Sequence, residues 1–474
     1  MKRYLLGLIA LSSLSILSSC SKDDNNNTGG NNNGTDSSAY VTLKGDISAN
    51  QTLSASKKYI LNGFVYVKSG VTLTIEPGTT ILGDKATKGT LVVSRGGKLM
   101  AEGTAAKPII FTSSQAAGAR SSGDWGGVIL LGKAKVNPTG GEAKIEGGLV
   151  VPAGGDEKTY IWYGGTDDAD NSGSLKYIRI EFAGIAYSPD NEINGLTMGG
   201  VGSGTKISYI QVYRSGDDAF EWFGGSVNCD HLIATCSKDD DFDTDNGFSG
   251  KVQFGVAQRY KTIADQSGSN GFESDNDANG SVNAPQTSAI FSNMTIVGPF
   301  QSGSSGSVDA NFQHAAQIRR NSAMSLYNSI LVGFPVGLYI DDSKVAVPSA
   351  TSQNAIDGKL VFKYNIIAGC TTPFKGEWMT ANTAAYNTWL AASSTTTQAT
   401  VADVLLKDPY KFSATVATTV GTPSFLLGTG SVALTGAKFD GLTGFTTVDY
   451  RGAFDGTTDW TSGWATATAE TNAY

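Results

Sequence analysis

The sequence predicts an all-β chain wound as a right-handed parallel β-helix, and three observations carry that expectation. Glycine supplies 59 of 474 residues with no collagen-like period, which suits a chain that turns often. Short apolar segments of alternating period, such as Leu73-Thr74-Ile75, Leu91-Val92-Val93 and Ile109-Ile110-Phe111, are punctuated by Gly, Asn, Asp and Ser. Internal repeats of variable length then separate a solenoid from a sandwich or propeller: one coil cannot bury its own apolar face, and stacked coils can.

The repeats can be aligned by eye. The segment from Gly70 to Glu76 matches Gly96 to Glu102, and Leu175 to Ile180 matches Ile207 to Val212. Asn293, Asn328 and Asn365 each open an apolar run that ends in glycine, which predicts an asparagine ladder at one turn. The sharpest repeat places Phe220, Phe242 and Phe272 in equivalent positions. Side chains alternate along a strand, so these rings should stack inward while Glu221, Asp243 and Glu273 form a column on the outer face. Carboxylates about 4.8 Å apart repel, so something must neutralise that column.

Along the chain, residues 1–19 read as a secretory signal: Lys2 and Arg3 precede a mostly apolar stretch from Leu5 to Leu17, too short for a permanent span. Leu17-Ser18-Ser19-Cys20 resembles a bacterial lipobox, which implies a lipidated Cys20 and an outer-membrane anchor. Residues 20–38, rich in Asn, Gly and Asp, read as a flexible tether, and the Ser21-Lys22-Asp23-Asp24 start is similar to a signal for export to the cell exterior. An N-terminal cap is expected over 39–57, the β-helix over 58–450 and a C-terminal cap over 451–474, with Trp460 and Trp464 closing the last coil. The best helix candidate is Thr383 to Ala392. A net charge of −8 argues against nucleic acid as partner, and two histidines exclude a three-histidine zinc site.

Gly123-Asp-Trp-Gly-Gly127, the run from Asp167 to Gly173, Asp218 to Gly225, Gln317-Ile-Arg-Arg-Asn321 and Val448 to Phe454 resemble a family of Bacteroidota outer-membrane lipoproteins with pectin-lyase-like β-helix folds. The resemblance implies this fold, a surface location and a possible partner in a TonB-dependent transporter.

Calcium is the ligand the acidic residues suggest, because it takes six to eight oxygens in flexible geometry. Candidate donors are Asp168, Asp170 and Ser172 in one glycine-closed loop, Asp275, Asp277 and Asn279 in another, and Asp241, Asp243 and Asp245 with Glu221 and Glu273 alongside. The same Asp-Asn-Gly clusters are also ordinary turn chemistry. Trp162, Tyr163 and Phe223 are aromatic candidates for contact with a glycan. The leading functional reading is a surface-tethered module that binds a glycan or a protein partner. The alternative is a calcium-dependent lyase or glycosidase, with Asp217, Asp218, Glu221 and Asp243 as its carboxylates and Arg259 as a base. His231 and His314 read as structural, and Cys229, Cys236 and Cys370 as buried thiols.

Overall fold

A computed structural model describes residues 40–188, 191–300, 308–411 and 421–474. The signal, Cys20 and the tether lie outside the described residues. Among the described residues, twenty-six strands join in one parallel hydrogen-bonded system that coils on itself. Each coil contributes to three faces. Sheet one starts at Tyr40 to Leu43, sheet two at Gly45 to Ile47 and sheet three at Gln51–Leu53. The aligned repeats fall in register as read: Leu73 pairs with Leu99, Ile178 with Ile210, and Phe220 with Phe242 and then Phe272. The phenylalanine rings stack at 5.7 and 5.3 Å, fully buried, and Trp222 lies on Phe248 at 5.3 Å.

In the middle coils one strand serves two faces by bending at a single residue. Tyr177, Tyr209, His231, Phe254, Asn293, Asn328 and Tyr364 all occupy that corner with φ between 48° and 64°. A left-handed conformation is unfavourable for residues with a Cβ, and stacking offsets it here. Tyr177, Tyr209, His231 and Phe254 form a pile of rings separated by 4.5, 4.2 and 5.1 Å. His231 is therefore a packing residue, its Nδ1 2.6 Å from Asp230. The expected asparagine ladder is only partly formed. Asn293 and Asn328 share the corner, whereas Asn365 sits one residue later, buried, and bonds Leu326 and Ser329.

Two expected boundaries move. Residues 40–53 are already strands paired to the next coil, so the helix begins before residue 58. Its last rung is Thr396–Gln398, because beyond it the chain leaves the stack. The helix expected near Thr383 is present as Thr383–Ser393, and it packs Trp389 against Phe362 and Trp378 at this end.

Residues 421–474 do not close the last coil. They form a strap that runs back along the corner, from Asn328 past Tyr209 to Lys58. Trp460 and Trp464 pack edge-on against Tyr209, and Trp464 also against Tyr177. Three side-chain amides hold the strap by gripping both backbone groups of one residue: Asn328 on Lys438, Gln253 on Thr446 and Gln211 on Thr466, all at 2.7 to 2.9 Å. An amide satisfies a stretch of backbone that has no strand partner of its own. Replacing Gln253 and Asn328 together with alanine should cost roughly 1–3 kcal/mol for each clamp. Hydrogen exchange should then speed at Thr446 and Lys438 while the Phe242 core stays protected.

Candidate functional site

The site lies on the outer face of sheet two, where alternation aims Glu221, Asp243 and Glu273 away from the phenylalanine stack, as expected. Its floor is set by a second ladder that the sequence reading missed. Asp218, Asp240, Asn270 and His314 occupy one position in successive coils. Asp218 Oδ1 accepts from the Asp240 N–H at 2.7 Å, Asp240 Oδ1 from the Asn270 N–H at 2.5 Å, and Asn270 Oδ1 from the His314 N–H at 3.1 Å. His314 also donates from Nδ1 to Asn270 Oδ1 at 2.8 Å, and burial lowers its pKa to about 3, so it is neutral and structural. The aspartates join coil to coil through their side chains, and this places them against the acidic column.

Loops complete the site. A cleft of about 860 Å³ is lined by Asp217, Asp218, Glu221, Asp239 and Asp265, with Lys238 as its cation, and Glu146 and Glu192 stand at its upstream end. Three overlapping carboxylate groups have oxygens within 4.8 Å of one another: Asp217–Asp218–Asp239, Asp218–Glu221–Asp243 and Asp240–Asp243–Glu273. Glu146 comes from an insertion between Leu131 and Gly173 that packs over sheet two. Asn194 donates from its amide to both Glu146 and Glu221.

Burial and mutual repulsion push these acids up together. Asp218 stands well above the usual carboxylate range because it is desolvated and faces Asp217, Asp240 and Asp243. Glu221 is raised by burial, then by Glu146 and Asp243, and Asp243 by burial, then by Glu273 and Asp275. Burial also lifts Asp239 to about 6, and Asp245 and Glu273 to about 8.

The donor set fits a hard cation. It consists of oxygens only. Buried Asp239 Oδ1, Asp243 Oδ1 and Asn194 Oδ1 have no hydrogen-bond partner among the described residues, and Asn194 is 0% exposed. Such orphaned acceptors are costly unless something positive meets them.

Several predicted ligands stand elsewhere. Asp168 is tied to Lys135 at 2.6 Å, and Asp170 bonds Ser172 within its own loop. Asp277 caps the Asn279 and Ser281 N–H groups, and Asp275 is held by Arg319 and Arg320. Both glycine-closed loops are thus turn chemistry and ion pairs. Asp241 is buried against Arg259 at 2.8 Å, and Asp245 bonds the Asn246 N–H beside the cluster. Arg259 is itself fully buried, and it also donates to the carbonyls of Ser237 and Asn270, so it is no base for the cleft. Tyr163, itself part of the insertion, and Phe223 are 2% and 6% exposed and pack on each other at 6.0 Å, which leaves neither ring open to a glycan. Trp162 is half-buried beneath the Lys158 ammonium.

Parallel strands stacked coil upon coil make this chain a β-helix solenoid. Residues 45–405 match the model of the pectate-lyase-like β-helix domain, and the chain belongs to that family. Comparison with curated proteins and with solved structures gives no match.

A cation met by these oxygens would stabilise the fold: for calcium at a hundred times its dissociation constant the expected gain is about 2.7 kcal/mol, read as a higher melting midpoint that chelator removes. The sign with pH follows from the raised acids. Their protonated forms favour the fold at low pH, and that contribution is lost as pH rises through about 6 to 8. The calcium-induced rise should therefore be larger at pH 8 than at pH 5. Asp243→Asn should raise the cation-free midpoint and shrink the calcium response.

Proposed function

We propose that this protein is a cell-surface lipoprotein whose acidic cleft binds a glycan with calcium in place. The observation that supports the cleft most directly is its concentration of carboxylates around orphaned buried oxygens, with Lys238 as the lining cation. Calcium would supply the missing positive charge. Asp218, Glu221 and Asp243 would hold it, and Asp240 and Glu273 would extend the same wall. The remaining polar rim, Asp265, Gln266 and Ser267, offers acceptors and donors to sugar hydroxyls. The surface location is supported by the lipobox-like Leu17-Ser18-Ser19-Cys20 and the polar stretch after it, and a transporter partner by the family resemblance.

One observation favours a second reading, glycoside hydrolysis. Glu221 and Asp243 are close carboxyls with pKa values pushed well up, and a retained proton is what a general acid needs. An arginine-driven elimination has less support: Arg259 is buried and Arg214 is paired with Glu470.

Purified protein should bind at least one polymer from a panel of uronate and neutral glycans, lose that binding in chelator, and release neither reducing nor unsaturated ends. New reducing ends that vanish in Glu221→Gln would replace the binding reading with hydrolysis. Cys20→Ala should abolish incorporation of labelled fatty acid and leave the protein out of the membrane fraction; continued labelling would refute the anchor.

A further inference from the structure

A parallel β-helix can offer a groove as long as its stack, since one outward column runs past every coil. In this chain the column runs from Asp46 and Tyr66 through Glu221, Asp243 and Glu273 to Lys375. Between Asp46 and the acids it is covered. Tyr66, Val92 and Ile129 are at most 1% exposed because Ile145, Leu149, Tyr160 and Ile161 of the insertion pack over them. Tyr66 donates its hydroxyl to the Val150 carbonyl at 2.9 Å, which ties the cover down.

Downstream, the column's polar side chains are engaged with one another and the cleft's lining ends at Asp265, Gln266 and Ser267. Glu273 is paired with Arg319. Gln317 donates to Asp341 at 2.8 Å, the Lys375 ammonium lies 4.0 Å over the Tyr339 ring, and the Tyr339 hydroxyl bonds Glu377 at 2.5 Å. The open part spans the rungs around Asp217, Asp239 and Asp265, three coils or roughly 10–15 Å. Its volume, about 860 Å³, is that of a small-ligand pocket rather than a groove. Of the residues with orphaned oxygens, Asp239 lines this part, Asn194 bonds its Glu221, and Asp243 stands beside Asp218 and Glu221.

We propose that the cleft receives the end of a glycan chain, or an oligosaccharide of a few units, and excludes the interior of a polymer. Glu146 and the insertion form the wall that stops the chain. This inference rests on the glycan reading of the cleft and adds the topology of the ligand.

The probes are oligogalacturonate and manno-oligosaccharide chains of defined length, in calcium, with the intact protein. Sedimentation should show one protein per chain however long the chain is. Chemical capping of one terminus should abolish binding, with capping of the other harmless. A number of bound proteins that grows in proportion to chain length would overturn the inference while leaving the glycan reading intact, as would binding that tolerates both caps. Failure of every chain to bind, short or long, would instead bring down the glycan reading and this inference with it.

Discussion

In-register stacking of parallel coils is the constraint from which the rest of this structure follows. Each residue meets its equivalent one coil away at the inter-strand spacing of about 4.8 Å, so whatever a position holds is repeated along a line. For apolar side chains the repetition is favourable: Phe220, Phe242 and Phe272 bury against one another, and corner rings pile from Tyr177 to Phe254. For carboxylates the same repetition is unfavourable, and the chain resolves it differently in different places. Arg319 and Arg320 meet Glu273 and Asp275, and Arg259 meets Asp241. Around Asp218, Glu221 and Asp243 no arginine or lysine pairs with the acids among the described residues, and that uncompensated stretch is the cleft.

The ladder through Asp218, Asp240 and Asn270 gives these side chains a structural role of their own. Each side chain accepts a backbone N–H from the next coil, so the same atoms that fix the turn also supply charge to the cleft. The turn uses one oxygen of each aspartate and leaves the second to face its neighbours.

Additions to the solenoid decide how much of its surface is usable. The insertion that carries Glu146 covers one stretch of sheet two, and the strap from residue 421 covers the corner. Both are fastened by contacts far apart in sequence. Gln211 meets Thr466 and Asn328 meets Lys438, pairs that no local pattern announces. Side-chain amides serve well here because one group supplies both a donor and an acceptor to an isolated peptide unit.

The sequence by itself determined the periodic features. Strand alternation, the phenylalanine stack and the outward Glu221–Asp243–Glu273 column were legible because repetition writes the register into residue spacing. What only the tertiary structure decided was which acids stay uncompensated. Asp168, Asp275 and Asp241 look much like Asp218 and Asp243 in sequence, yet Lys135, Arg319 and Arg259 claim them. Glu146, Glu192 and Asp265 reach the cleft from segments outside the repeat. A charge is settled by what lies within a few ångströms in space, and for loops of irregular length that neighbourhood exists only once the coils are stacked.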